Sequence, residues 1–547
     1  MDGKLEATLL LLLLTSTVVI IILATRRRRS KSGVSRLPPG PWKLPVIGNL
    51  HQMLAGGGDR HLPHRRLAHL ATRYGPLMQI QLGEIPSVVV SSPEWARAIM
   101  QAHDLNFATR PVLPSVAIIF YGCRDIAFAA YGEYWREMRK VCAVELLGPR
   151  RAQQLGPIME EEMAQMVKRI SSSSSSSSLL CDNPSTTSVT QGTTTTRPCM
   201  LSSSCVNLTQ MLLSLGNAIT SRAAFGKAQR QEDVFLPFIE QMVNTLGGFT
   251  FGDLFPSWKL LRRVVGTEKK LKELHGAADV VLEGIISDHL AKRSVVAADD
   301  DDDQDLVDVL LNLKEDKHLG YTFSNSEIKA VILDLFLAGT ETWTVTVEWA
   351  MSQLMKNPRI MEKAQREVRH VVAGAAGGGN SRKIDAATVD ELGYLQLVVK
   401  ETLRLHPPGP LTIPRECRET IVIDGYRIPA KTRVIVNAWA IGRDPRHWVE
   451  PEKFHPERFL DLAIDYKGLD FEFIPFGSGR RVCPGMQYAV SSINLALANL
   501  LYHFDWKLPN GIQPQDFDMS EGFGIEVKRK NELFLIPVPS HASNTSA

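Results

Sequence analysis

The sequence predicts a mainly α protein preceded by one transmembrane helix. Three stretches lead to that reading: an uncharged apolar run at residues 7–24, a long and nearly all-apolar helix at 327–355, and a turn-rich loop at 473–486 that closes around a lone cysteine. A chain of 547 residues exceeds the usual limit for one hydrophobic core, so length alone would suggest more than one domain. With 44% hydrophobic residues and a net charge of +3 from 62 basic and 59 acidic side chains, there is no bulk electrostatic bias towards nucleic acid. Any basic partner site is local.

The N-terminal run ATLLLLLLTSTVVIIILA carries no charge, and at helical rise it reaches about 27 Å, close to a hydrocarbon core of about 30 Å. A cleaved signal peptide places its charge ahead of the apolar run, whereas here Arg26 to Arg29 follow it and Asp2, Lys4 and Glu6 precede it. The expected organisation is therefore a lumenal N-terminus at 1–6, a signal-anchor helix at 7–25, and a basic cluster with a proline-rich hinge at 26–50. The positive-inside bias keeps everything after the anchor in the cytosol. The prolines of LPPGPWKLPVIGNL, residues 37–50, cannot extend the anchor helix and make a stiff spacer.

Farther along, WREMR places Trp135 and Arg139 at i,i+4 on one helical face. Eight consecutive serines at 171–178 and the Ser/Thr-rich stretch after them cannot bury enough apolar area to offset their ordering entropy, so 171–204 reads as a disordered surface insertion. ADDDDDQD at 298–305 and AGAAGGGN at 373–380 read as solvated connections. Between them, the apolar helix 327–355 is interrupted by Gly339, Thr340, Glu341 and Thr342. A helix apolar all round is buried, so these polar groups need a reason, and one reason is that the threonines bond to carbonyls one turn back. In KETLRLHPP, Glu401 and Arg404 are spaced i,i+3 and can pair, a contact worth little at a surface.

The seven cysteines, at 123, 142, 181, 199, 205, 417 and 483, form no CxxC pair, which argues against a disulfide framework or a zinc ribbon. Cys483 stands apart. In FIPFGSGRRVCPGM, residues 473–486, the turn formers Pro475, Gly477, Gly479, Pro484 and Gly485 forbid a continuing helix or strand, so a tightly wound loop presents the thiol. Arg480 and Arg481 are expected to set positive charge beside its sulfur and favour the metal-ligating thiolate.

Phe476, Gly479, Arg481, Cys483 and Gly485 match the haem-binding signature F-x-x-G-x-R-x-C-x-G of the cytochromes P450, and the chain resembles that family over residues 30–539. The resemblance implies one helix-rich globule with small β-sheets, a catalytic domain at 51–539 and a flexible tail at 540–547. It implies haem b as cofactor, with Cys483 as the axial thiolate that pushes electron density onto iron. AGTET resembles the family's oxygen-activation motif, in which Thr342 would support a proton-delivering water and Glu341 would relay protons from outside. Trp343 departs from the small hydroxyl residue commonly found next, and either narrows the pocket or faces away. Glu401, Arg404 and Arg458 of PERF resemble the family's structural triad. Trp135, Arg139, Arg415 of TIPREC and Arg481 match positions that hold the haem propionates. The proline-rich hinge is similar to that of microsomal plant members.

The implied activity is monooxygenation of a small hydrophobic metabolite with O2, in the endoplasmic reticulum membrane. No nicotinamide or flavin fingerprint occurs, so electrons are expected from NADPH-cytochrome P450 reductase, with cytochrome b5 as a second donor, meeting basic residues such as Lys140 and Arg480. Largely apolar candidate contact segments, at 107–122, 332–338, 409–414 and 521–526, favour a hydrophobic substrate. Similarity to grass terpenoid oxidases suggests a sesquiterpene or diterpene; phenylpropanoid, alkaloid and indole substrates are the alternatives. Reductase-independent rearrangement of hydroperoxides and a non-catalytic haem sensor are the rival classes, and the acid–threonine pair at 341–342 argues against both.

Overall fold

The computed structural model describes residues 36–54, 62–175, 205–226, 241–242, 250–295, 304–315, 321, 323–374, 383–522 and 524–540. Residues 1–6, the expected anchor at 7–25, Arg26 to Arg29 after it, the insertion beyond Ser175, the aspartates 299–303, the glycine linker 375–380 and the tail from 541 lie outside the described residues. What is described is helix-rich, with three small sheets.

Helix α1 (Pro63–Tyr74) starts on a proline, where the missing N–H has no helical partner to lose, and buries His64, Leu67 and Leu70. It packs on strand β1 (Leu77–Leu82), which turns at Gly83 into antiparallel β2 (Ile85–Val90), with Leu77 opposite Val90. Helix α2 (Glu133–Val141) is short and strongly amphipathic, and buries Trp135, Met138 and Val141. Helix α3 (Pro149–Ser175) runs five residues into the stretch expected to be a loop from 171. The local reason is visible at its end, where Ser171 Oγ donates to the Val167 carbonyl and Ser172 Oγ to that of Arg169, at 3.0 and 2.9 Å. Serines that turn their hydroxyls back onto the helix extend it instead of ending it.

Strand β3 (Val206–Asn207) leads into α4 (Leu208–Phe225), capped by the Asn207 side chain on Gln210 N. The long α5 (Thr267–Val295) precedes the central α6 (Asn325–Lys356), which opens with a capping box of Ser324 and Glu327. Helix α6 runs unbroken through Gly339–Thr342, so the polar residues that interrupt its apolar sequence do not end the helix. By length and hydropathy α6 could cross a membrane, but it is enclosed by protein. Helix α4 lies hard against it: a Cβ on Gly216 would sit 2.6 Å from the Thr340 carbonyl oxygen and 2.9 Å from the Thr344 methyl, so only glycine permits this approach.

After α7 (Pro358–Gly374) and α8 (Gly393–Leu405) comes β4 (Arg415–Glu416), then the hairpin of β5 (Ile421–Ile423) and β6 (Tyr426–Ile428), and β7 (Arg433–Val436). β7 runs parallel to β2 and antiparallel to β4, giving the order β1-β2-β7-β4. Helix α9 (Met486–His503) follows the cysteine loop. Strands β8 (Phe504–Lys507) and β9 (Phe534–Pro539) close the fold, with β9 between β3 and β8.

Two cores flank α6. On one side Trp343, Val347 and Met351 meet Leu212 and Leu215 of α4 and Leu497 of α9; on the other Val331, Ile332 and Phe336 meet Val116, Ile119 and Phe120 of the segment before α2. Burial of such side chains contributes roughly 1.5–3 kcal/mol each. The cavity described next opens between these elements.

Candidate active site

The cysteine loop is built from local turns. Gly477 N donates to the Ile474 carbonyl, Val482 N to that of Gly479, and Cys483 N to that of Phe476, each at 3.0 Å. Gly477 and Gly479 both take φ of 71°. At Gly479 the requirement is double, because a Cβ there would lie 2.1 Å from the Met100 carbonyl oxygen. So wound, the loop turns Phe476, Cys483 and Gly485 onto one wall of a cavity of about 380 Å³. Phe476 also packs edge-on against Tyr466, which fixes its ring.

Burial pushes the Cys483 thiol up, while the Gly485 N–H and the Arg139 guanidinium pull it back towards ionisation. This corrects the expectation for the adjacent arginines. Arg480 is half exposed and turns to Asp104, which accepts from its backbone N–H at 2.8 Å and its guanidinium at 3.3 Å. Arg481 donates to the carbonyls of Ala108 and Ala129, at 2.7 and 2.6 Å, and lies 4.0 Å over the Trp135 ring. The charge acting on the sulfur comes from α2, where Arg139 also donates to the Val482 carbonyl at 2.7 Å.

Trp135 donates Nε1 to the Ile126 carbonyl at 3.0 Å. Arg415, at the start of β4, donates to Asp104 Oδ1 at 2.8 Å and to the Ser478 carbonyl at 2.6 Å. Trp135, Arg139, Arg415 and Arg481 thus share one end of the cavity. A fifth residue there, Arg110, donates to the carbonyls of Ala127, Ile413 and Pro414. Its only sequence signal is a lone charge in an otherwise apolar segment. Burial draws Arg481 down to about 9, with Arg415 and Arg139 adding repulsion. Among the described residues few carboxylates face these cations: Asp104 takes Arg415 and Arg480, while burial pushes Asp334 up to about 6 and raises Asp125, further lifted by Asp334, so that both resist ionisation more than an exposed aspartate. An enclosed guanidinium set with too few carboxylates fits a ligand carrying two of its own. With a thiol on the adjoining wall, the donor set fits haem.

The facing wall is α6. From Glu327 to Met355 only Leu335, Ala338, Gly339 and Thr342 keep appreciable surface, and all four border the cavity. Their spacing, i, i+3, i+4, i+7, is one helical stripe. Thr342 Oγ1 donates to the Ala338 carbonyl at 2.7 Å, the bond one turn back that the sequence left open, and Thr340 does the same to Phe336. Glu341 is buried beside the stripe and pairs with Lys528 at 2.7 Å. Trp343 faces away: it is almost fully buried in the core, and its Nε1 donates to the Gly339 carbonyl at 2.9 Å.

Away from the cavity, Arg404 grips both oxygens of Glu401, and Arg458 Nε donates to Glu401 Oε1 at 3.0 Å. Arg404 spends its remaining donors on the carbonyls of Gly442, Pro451 and Lys453, and Arg458 on those of Val449, Glu450 and Lys453. The pair is no surface contact, and it ties α8 to the segment that precedes the cysteine loop.

The sequence profile of the family described as Cytochrome P450 matches residues 38–534. Desmethyl-deoxy-podophyllotoxin synthase of Sinopodophyllum hexandrum is 47% identical over 508 residues, 93% of this chain and 92% of that protein. Premnaspirodiene oxygenase of Hyoscyamus muticus is 42% identical over 517 residues, 94% and 95%. A zebra fish cytochrome P450 solved with abiraterone superposes with a TM-score of 0.68 at 24% identity, covering 88% of this chain and all of the other, which establishes the fold.

Proposed function

This chain belongs to the cytochrome P450 family and is a haem-thiolate monooxygenase, and from that premise we propose that it oxidises a sesquiterpene or diterpene, drawing electrons from NADPH-cytochrome P450 reductase. The observation that carries the proposal is the cavity itself. It is walled chiefly by apolar side chains, and it has the Cys483 loop on one side and the Thr342 stripe on the other. Cytochromes P450 that act on sesquiterpene skeletons, premnaspirodiene oxygenase and 5-epiaristolochene 1,3-dihydroxylase of Nicotiana tabacum, are 42% identical to this chain, which favours a terpene. Tabersonine 6,7-epoxidase isoform 1 of Catharanthus roseus, 44% identical, keeps an alkaloid as the second reading.

In this proposal Cys483 would ligate the haem iron, and Trp135, Arg139, Arg415 and Arg481 would hold the propionates, with Arg110 beside them. The haem supplies the activation of O2. The protein's own task is to exclude water, orient the substrate and deliver protons. Leu335 and Ala338 present apolar surface to the substrate. Thr342 Oγ1 now donates to the Ala338 carbonyl; turned from that acceptor, the same hydroxyl can hold a water at the cavity wall. Glu341 reaches solvent through Lys528, whose side chain is partly exposed, and so can bring a proton to the foot of the stripe. The exposed Lys140 and the half-exposed Arg480 lie near the cysteine loop and suit an acidic reductase face. An N-terminal anchor in the endoplasmic reticulum membrane completes the proposal.

Reductase-coupled microsomes incubated with a panel of terpene, phenylpropanoid and alkaloid compounds test it. Oxygenated terpene products formed with NADPH and O2 consumption are expected. Product without NADPH consumption would point to rearrangement, and a carbon monoxide spectrum without turnover of any compound would point to a sensor.

A further inference from the structure

One carboxylate in the cavity wall has no part in the scheme above. Glu526 belongs to the hairpin that folds back over α6, in a stretch held from several sides. Val527 N donates to the Pro408 carbonyl at 3.0 Å, and the Val527 carbonyl accepts from Trp349 Nε1 at 2.8 Å. Gly522 N donates to the Lys528 carbonyl and Lys530 N to that of Ser520, both at 2.8 Å. Glu526 is thus fixed beside the cavity by its neighbours' backbone, not left on a mobile loop.

Its side chain is anomalous. Glu526 Oε2 is out of contact with solvent and has no hydrogen-bond partner among the described residues. The titratable groups that act on it are Glu341 and Lys528, and Lys528 is already paired to Glu341 at 2.7 Å. Burial, reinforced by Glu341, lifts Glu526 to about 8, so at neutral pH it carries its proton. A protonated carboxyl offers one O–H donor and an acceptor oxygen. Leaving such a group enclosed and unbonded is expensive, and a ligand that supplies the missing partner recovers that loss.

We propose that the substrate carries an oxygen function, a hydroxyl or a carbonyl, on its otherwise apolar skeleton, and that Glu526 binds this oxygen and so sets the end from which the skeleton is presented. The inference rests on the monooxygenase reading and narrows it: the chain acts on a skeleton already oxygenated once, so an earlier oxidation or hydration must supply its substrate. An ammonium group suits the site less well, because Lys528 already answers Glu341 and a second cation would lose its hydration among apolar neighbours.

The test uses three probes of one skeleton, farnesene, farnesol and farnesylamine, on the full-length haem-loaded protein in nanodiscs. Dissociation constants come from equilibrium dialysis, which does not depend on turnover or on the haem spectrum. Farnesol is expected to bind about tenfold more tightly than farnesene, as one enclosed hydrogen bond warrants. In Glu526→Leu that preference should collapse towards unity with farnesene binding retained, and in Glu526→Gln, which keeps the shape and a donor, part of it should survive. In the infrared band of protonated carboxylic acids, to which other buried carboxyls such as Glu348 also contribute, one component should shift with farnesol in the wild type, and that component should be missing in Glu526→Gln. An unchanged farnesol-to-farnesene ratio in either folded variant, no measurable binding of farnesol, or a preference for farnesylamine that Glu526→Leu abolishes would overturn the proposal. Carbon monoxide spectra of the same samples report on the haem-thiolate reading separately, so the two failures are distinguishable.

Discussion

Arg404 Nε and Nη2 each lie 2.7 Å from an oxygen of Glu401, in a site where neither side chain is exposed. A fork of this kind, with every remaining donor on a backbone carbonyl, is costly to disturb, because removing one partner strands the other charge away from water. Glu401→Leu or Arg404→Leu should lose about 3–5 kcal/mol in denaturant unfolding and lower the haem content of the purified protein. Arg404→Lys should fare little better, since an ammonium cannot bridge both oxygens.

Cys483→Ser should abolish the thiolate band of the reduced carbon monoxide complex. Cys142→Ser, at a fully buried thiol that burial pushes up, should keep the band and lose about 1–3 kcal/mol for an enclosed hydroxyl. Equal spectra for the wild type and Cys483→Ser would exclude Cys483 as the ligand.

Thr342→Ala separates two roles that one hydroxyl can hold. If Thr342 supports proton delivery, product per NADPH should fall several-fold and peroxide rise, with binding retained. Should the bond to the Ala338 carbonyl be its whole purpose, coupling stays at the wild-type ratio and only stability moves. Product, peroxide and NADPH counted in one assay decide between them.

Trp343→Ala tests the direction of a side chain. Because Trp343 is packed between α4 and α9 rather than against the cavity, truncation should cost about 3–5 kcal/mol of stability and leave ligand affinity within twofold. A large change in affinity with little loss of stability would place the indole in the pocket after all.

Two buried groups should pull the pH dependence of stability in opposite directions below neutrality. Burial holds His406 well below its usual 6.5, stacked 4.1 Å from Trp349, so below pH 6.5 the unfolded chain takes up a proton that the folded one refuses, and stability falls on acidification. Burial lifts Glu348 from 4.5 to about 7, so across that window the folded chain holds a proton that the unfolded one has released, and stability falls as pH rises. Each slope is at most about 1.4 kcal/mol per pH unit. Glu348→Gln should flatten the rising-pH limb in melting curves recorded from pH 5 to 8.

What could be read from the chain was whatever lies close together along it. The cysteine loop, the AGTET stretch and the Glu401–Arg404 spacing are contiguous, and their turn formers or helical periods constrain them locally. Side-chain direction was another matter. Arg480 and Arg481 are adjacent to the sulfur in sequence, but Asp104 draws one and the carbonyls of Ala108 and Ala129 draw the other, all more than 350 residues away. Arg110 and Glu526 fell inside segments read as apolar substrate contacts, at 107–122 and 521–526, and were not singled out there because their importance comes from what encloses them. The serines after Ile170 misled in the opposite way: composition spoke for disorder, and a hydroxyl turned back on the helix prevailed for the first few.

The stripe on α6 divides that helix into two kinds of position. Leu335 and Ala338 touch the cavity and can change size with little effect on the packing of α4 or α9, whereas Thr340 and Trp343, a short step round the same helix, cannot. Novelty in this protein is therefore cheap along one line and expensive beside it. A library that randomises Leu335 and Ala338 should yield folded proteins with shifted products, and a lineage drifting at those two sites could exchange one metabolite for another without renegotiating its architecture.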